Sequence, residues 1–145
     1  MSALADRRDL LAAMLDTLVP PDGDFPGAGA VVLDHIFRVA AASRDVEALV
    51  SNAMDATEQI AGAGRLRALA PDDREAVLRR VETANRDVFD ALVRHVYDGY
   101  YSHPAVVERL GLDPRPPQPH GHRIAPADLP DLARVAGRGP IYRPA

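Results

Sequence analysis

The uneven distribution of proline limits most strongly how this chain can fold. Only 5 of its 13 prolines precede residue 112, whereas 8 fall within residues 112–145. Proline fixes its own φ angle, lacks a backbone N–H and disfavours the helical conformation of the residue before it. The sequence therefore predicts a helical domain over residues 1–111. Residues 112–145 are predicted to form an extended C-terminal arm that carries short helices and belongs to the same functional unit.

Apolar residues before residue 112 recur every three or four positions, which is the spacing of one face of an α-helix. Alternating apolar and polar residues, the pattern of a half-buried strand, are absent from this part of the sequence. The pattern predicts an all-α fold whose body resembles a four-helix bundle. The four predicted helices span residues 6–19, 28–42, 43–61 and 71–98.

Residues that favour helix ends support these boundaries. Pro20 follows the first helix and cannot continue it. Ser43 suits the N-cap of the third helix, and Gly62 suits its C-terminal end. Asp72 and Glu75 have the spacing of a capping box at the start of the fourth helix.

The fourth predicted helix has the broadest apolar face, with His95 on it as a core or interface histidine. Such a helix is expected to be central in the bundle. We expect residues 99–104 to break it and to bring two tyrosines together. A short helix is predicted over residues 105–110, and residues 127–135 can form another.

Composition excludes several classes of protein. The chain contains no cysteine, which rules out disulfides, thiolate metal sites and cysteine nucleophiles. All 17 basic residues are arginine, and residues 1–111 hold 12 of them against 18 acidic residues. A nucleic-acid-binding protein would show a dense basic face, so no nucleic acid partner is expected. No apolar run approaches the roughly 20 residues of a membrane-spanning helix, so no span is expected either.

Two short segments resemble the gluconate 2-dehydrogenase subunit 3 family, and the resemblance covers most of the chain. The first, here called the loop segment, is residues 18–28, with the sequence Leu18-Val19-Pro20-Pro21-Asp22-Gly23 through Pro26-Gly27-Ala28. The second, here called the corner segment, is residues 99–104, with the sequence Gly99-Tyr100-Tyr101-Ser102-His103-Pro104. Gly111 and Pro119-His120-Gly121 follow it in the order that the resemblance requires.

The resemblance implies a small subunit without chemistry of its own. In this family an FAD-containing large subunit of the glucose-methanol-choline oxidoreductase type oxidises a sugar and passes electrons to a cytochrome or another acceptor. The small subunit keeps that large subunit stable and functional. This implies FAD in the partner, no cofactor in this chain, and a cytochrome c as a candidate electron acceptor. The sequence agrees, because it has neither a Gly-x-Gly-x-x-Gly fingerprint after a strand nor a Cys-x-x-Cys-His haem motif.

Members of this family often carry a twin-arginine leader. Arg7-Arg8 superficially resembles one, but the apolar stretch that follows is short and ends at Pro20. We read this region as the first core helix instead. Localisation stays open between the cytoplasm, from the absence of a signal, and the periplasm, if the chain is exported with its partner.

Partner contacts are predicted where the body meets the arm and along the arm, because tyrosine and arginine are frequent in binding hot spots. No residue is predicted to be catalytic. The predicted contact residues are Tyr100, Tyr101, His103, Pro104, Pro119, His120, Gly121, His122, Arg123 and Tyr142.

Other functions remain open at this point. His120 and His122 flank a glycine and are weak candidates for binding a transition metal from extended backbone. One alternative is therefore a self-sufficient, metal-dependent helical protein. A further hypothesis is that His120 or His122 enters the active site of the partner. A generic helical interaction domain, unrelated to oxidoreductases, is the third class.

Overall fold

The computed structural model describes residues 4–115 and residue 137. The first compact unit of the chain runs from Met1 to Pro114. Its described part contains helices and no β-strand, apart from an isolated bridge between Asp22 and Phe25. The predicted all-α class is confirmed. The helices are α1 (Arg8–Leu18), α2 (Ala28–Val31), α3 (Leu33–Ala42), α4 (Arg44–Ala61), α5 (Pro71–Ala84), α6 (Arg86–Ser102) and α7 (Pro104–Arg109), with 3-10 turns at Ala5–Arg7 and Leu66–Ala68.

The core is formed by buried side chains of α1, α3, α4, α5 and α6. α4 packs against α3, α5 and α6, and α6 additionally contacts α2, α3 and α7. α1 packs against α2 and α5. The largest side chains of this core that solvent does not reach include Leu11, Met14, Leu15, Ile36, Val50, Met54, Leu92 and Val96. Their removal from water is the main source of stability for the unit.

Three predicted helix ends are confirmed. α1 ends at Leu18, just before Pro20. Ser43 is the N-cap of α4, where its Oγ accepts a hydrogen bond from the N–H of Val46 at 3.5 Å. Gly62 ends α4 with a φ of +89°, a conformation that glycine adopts without steric cost.

The prediction of one continuous helix over residues 71–98 is wrong. Asn85 has φ −151° and ψ 73°, which are not helical values, and it separates α5 from α6. Its N–H still bonds to the carbonyl of Val81, and its own carbonyl accepts from the N–H of Phe89, both at 3.0 Å. Asparagine has a low helix propensity, which makes the break inexpensive. Ala84, directly before the break, is exposed, whereas Phe89 on the first turn of α6 is buried.

The predicted capping box is also absent. Ala70 is the N-cap of α5 and Pro71 occupies the first helical position, so the helix starts before Asp72. The carboxylate of Glu75 pairs with Arg79 one turn further on. The predicted helix over residues 28–42 is present as α2 and α3, which are separated by Val32 alone.

The break predicted within residues 99–104 is present, but it falls at His103 and not at Gly99. α6 continues through Gly99 and the two tyrosines to Ser102, and the chain turns at His103. Glycine is unfavourable inside a helix by roughly 0.5–1 kcal/mol relative to alanine. Gly99 packs so closely against His35 and Val32 that a larger residue would not fit at this position of α6.

Candidate functional site

The loop segment is held against α1 and α2 by its own backbone. The N–H of Ala28 donates to the carbonyl of Val19 at 2.9 Å, which closes the loop at its base. Asp22 and Phe25 exchange two backbone hydrogen bonds at 3.1 and 2.9 Å across the turn. These bonds pair backbone groups of the loop segment with one another, as buried or turn-forming backbone groups require.

A carboxylate from α1 fixes the start of α2. Asp16 Oδ1 accepts a hydrogen bond from the N–H of Gly29 at 2.7 Å. A Cβ atom on Gly29 would lie 2.6 Å from Asp16 Oδ2, so the close approach of the carboxylate depends on glycine at this position. A negative charge near the first turn of a helix is favourable, because the unpaired N–H groups point towards it.

The corner segment starts at a close contact between α6 and α3. Gly99 faces the ring of His35, and a Cβ atom built on Gly99 would lie 2.8 Å from His35 Cδ2 and 2.9 Å from His35 Cγ. It would also lie 3.0 Å from a methyl carbon of Val32. Only glycine leaves room for the imidazole at this crossing of the two helices.

His35 itself has an unusual environment. Arg38 donates from Nη2 to His35 Nδ1 at 3.0 Å, and since arginine has no acceptor, the neutral ring carries its proton on Nε2. That Nε2 atom is buried and has no hydrogen-bond partner. Burial lowers the pKa of His35, the charges of Arg38 and His95 lower it further, and Asp98 opposes the shift. The ring is therefore held in its neutral form more strongly than an ordinary histidine.

Tyr100 connects the corner segment to the loop segment. Its ring is only 5 % exposed, and its hydroxyl donates to the carbonyl oxygen of Pro26 at 2.9 Å. Burial raises the pKa of Tyr100, with Tyr101 adding to the shift and Arg109 opposing it. The two segments that carry the family resemblance are thus in direct contact, although Pro26 and Tyr100 are 74 residues apart in the sequence.

Tyr101, the next residue on α6, faces solvent. Its ring is 57 % exposed and contacts Tyr100 edge-on, with a centroid distance of 5.4 Å and an interplanar angle of 87°. Tyr97, one turn earlier, contacts the same ring at 5.9 Å and 65°. Edge-to-face pairs of this kind are attractive, so Tyr101 is braced from two sides while remaining exposed.

His103 and Pro104 form the turn between α6 and α7. His103 is the N-cap of α7, where its Nδ1 accepts a hydrogen bond from the N–H of Ala105 at 3.3 Å. Pro104 takes the first helical position and is exposed. The turn therefore has a defined geometry that fixes where α7 lies relative to α6.

The structure brings together four of the ten predicted contact residues, namely Tyr100, Tyr101, His103 and Pro104. Tyr100 is nearly enclosed by this chain, so its principal contact is internal. The contact and metal-binding roles predicted for the other six stay predictions, because these residues lie outside the described part of the chain: Pro119, His120, Gly121, His122, Arg123 and Tyr142.

Three exposed residues near this corner escaped the sequence reasoning: Tyr97, Leu110 and Leu112. The spacing of four between Tyr97 and Tyr101 places both on one helical face and could have revealed the pair. Within residues 4–115 and at residue 137, no group of three acidic or histidine side chains is placed so that it could hold a metal ion. No helix within the described ranges is long and apolar enough to cross a membrane.

The fold is that of a small helical protein, and within the part of the chain that the structure describes the exposed large apolar side chains lie on the last turns of α6 and just after α7. The family described as Gluconate 2-dehydrogenase subunit 3 matches residues 5–114, which include both the loop segment and the corner segment. The chain belongs to this family, and the resemblance seen in the sequence is confirmed. Proteins of this family are subunits of a multi-subunit dehydrogenase complex. No curated protein and no solved structure matches the chain.

Proposed function

We propose that this chain is a non-catalytic accessory subunit of an FAD-dependent sugar or glycoside dehydrogenase. It binds the FAD-containing large subunit, of the glucose-methanol-choline type, and keeps that subunit folded and active. The large subunit holds the flavin and oxidises the substrate, and a cytochrome c is the candidate electron acceptor. The observation that carries this proposal is the exposed ring of Tyr101, braced at a fixed corner of a chain that belongs to a dehydrogenase-subunit family.

An exposed but immobilised tyrosine favours binding for two reasons. Tyrosine is among the residues enriched in binding hot spots, since it buries a large apolar ring and offers a polar hydroxyl. The contacts of Tyr101 with Tyr97 and Tyr100 also order the ring before a partner arrives. Less side-chain entropy is then lost on association, which leaves more of the contact energy as affinity.

Stabilisation of the large subunit follows from mass action. A protein that binds only the folded form of its partner lowers the free energy of that form. At a free concentration 100 times the dissociation constant, the gain is about 2.7 kcal/mol. Such a gain is a large fraction of the net stability of a typical domain. An accessory subunit can therefore decide whether a marginally stable flavoprotein accumulates in active form.

Co-expression tests this proposal. The large subunit from the same genome would be produced with and without this chain, and three quantities measured: soluble yield, bound flavin per polypeptide, and sugar oxidation with an artificial acceptor. We expect all three to fall when this chain is omitted. A large subunit that is equally soluble, flavin-loaded and active alone would contradict the accessory role.

A further inference from the structure

We propose that Tyr97, Tyr101, Leu110 and Leu112 form the face that docks on the large subunit, which receives them in an apolar pocket. This inference rests on the proposed function and adds the residues that make the contact. The four residues are here called the docking face.

The docking face contains every large apolar side chain that is classed as exposed in the described part of the chain. The exposed fractions are 48 % for Tyr97, 57 % for Tyr101, 47 % for Leu110 and 61 % for Leu112. All four fall within 16 consecutive residues, on the last turns of α6 and just after α7. Exposed apolar residues that are scattered singly need no explanation, whereas the confinement of these four to one stretch of chain supports an interaction surface here.

Backbone hydrogen bonds define the end of α7, where the two leucines lie. Gly111 has a φ of +75°, and its N–H donates to the carbonyl of Glu108 at 3.0 Å. The N–H of Leu112 donates to the carbonyl of Val107 at 3.1 Å. This pair of bonds is a Schellman motif, which ends α7 and fixes the direction of Leu112. Leu112 is 61 % exposed in this position.

Charged residues flank the docking face along the chain. Arg94 and Asp98 are exposed on α6 beside the tyrosines, and Glu108 and Arg109 precede Leu110 on α7. An apolar centre with a polar rim of both signs is the usual composition of a protein–protein interface. The region matched by the family, residues 5–114, includes the whole docking face.

The area of the docking face favours the large subunit over a second copy of this chain. The exposed fractions of the four side chains correspond to roughly 400 Å². Two copies meeting through this face alone would bury roughly 800 Å² in total, below the 1,200 Å² of the smallest stable interfaces. A much larger partner can surround the face and contact its rim on all sides, which adds the area that the four side chains alone do not supply.

A binding measurement with purified large subunit tests the inference. The double variant Tyr101→Ser/Leu112→Ser removes one residue from each half of the docking face. The matched control is Gln59→Ser/Arg80→Ser, which changes two exposed residues on α4 and α5. We expect the double variant to bind at least about 100-fold more weakly and the control to bind like the wild type. Circular dichroism of each free chain would report its helical content.

Each outcome decides a different point. If the wild type binds and a fully helical double variant binds equally well, the docking face is wrong while the proposed function stands. If the wild type does not bind at all, the proposed function fails and this inference fails with it. If the double variant loses helix content, the single variants Tyr97→Ala and Leu112→Ser replace it, and both must weaken binding. Loss of a wild-type dimer in the double variant, with large-subunit binding unchanged, would assign the face to a second copy and overturn the inference.

Discussion

The hydroxyl of Tyr100 donates a hydrogen bond to the carbonyl oxygen of Pro26 at 2.9 Å, and so links the end of α6 to the loop between α1 and α2. Both ends of this bond lie in segments that carry the family resemblance. The bond shows that part of the resemblance reflects how the chain folds. Tyr100 points into the structure, whereas its neighbour Tyr101 is exposed to solvent.

Replacing Tyr100 by phenylalanine tests the internal role. The variant keeps the buried ring but removes the donor and leaves the carbonyl of Pro26 without this partner. We expect a loss of about 1–2 kcal/mol in the free energy of unfolding, measured by urea denaturation. The control Tyr101→Phe should change it by less than about 0.5 kcal/mol, since that hydroxyl is on an exposed residue. Equal effects of the two variants would show that the Pro26 contact contributes nothing.

Alkaline pH should weaken the fold through the same residue. Burial raises the pKa of Tyr100 above its usual value of 10.0, so the unfolded chain releases this proton first. Above pH about 10 the unfolded state then binds fewer protons than the folded state, and the free energy of unfolding falls as pH rises. The chain has no lysine and no cysteine, so tyrosines are the side chains that titrate in this range. Tyr100→Phe should flatten the decline when unfolding is followed at increasing pH, and an unchanged slope would contradict this assignment.

Gly99→Ala should destabilise the protein even though alanine is the better helix former. The added methyl group would overlap the ring of His35 at 2.8–2.9 Å. We expect a net cost of about 1–3 kcal/mol in thermal or urea unfolding, because overpacking outweighs the gain in helix propensity. The double variant His35→Ala/Gly99→Ala removes the obstructing ring and should be less destabilised than the sum of the single changes. Strict additivity of the two changes would exclude the proposed contact.

Mild acid should lower stability through His35. Burial, with Arg38 and His95, lowers the pKa of His35 below its ordinary value of 6.5, and Asp98 opposes this shift. As pH falls below 6.5 the unfolded chain takes up the proton before the folded chain does, so the free energy of unfolding decreases until the folded pKa is passed. His35→Asn should remove this part of the pH dependence between about pH 5 and 7. An NMR titration that places the pKa of His35 at or above 6.5 would contradict the prediction.

The helices and most of their ends could be read from the sequence because the signals are local. A proline at residue 20, a serine at residue 43 and a glycine at residue 62 each act on the backbone within one turn. Asn85 and Gly99 were misread for the opposite reason. The backbone of Asn85 leaves the helix without any strong breaker in the sequence, and Gly99 stays in the helix because His35 packs on it.

The same distinction between local signals and tertiary packing applies to the candidate site. By itself the sequence determined an all-α chain, its family resemblance and a cluster of tyrosines near residue 100, since periodicity and short segments are properties of neighbouring residues. Only the tertiary structure decided that Tyr100 turns inward to Pro26 while Tyr101 faces solvent. Adjacent residues on an α-helix point about 100° apart, and which of them becomes buried depends on where the neighbouring helices and loops pack. Contacts between residues far apart in the chain determine which of the two is buried, and a local sequence pattern contains no information about such contacts.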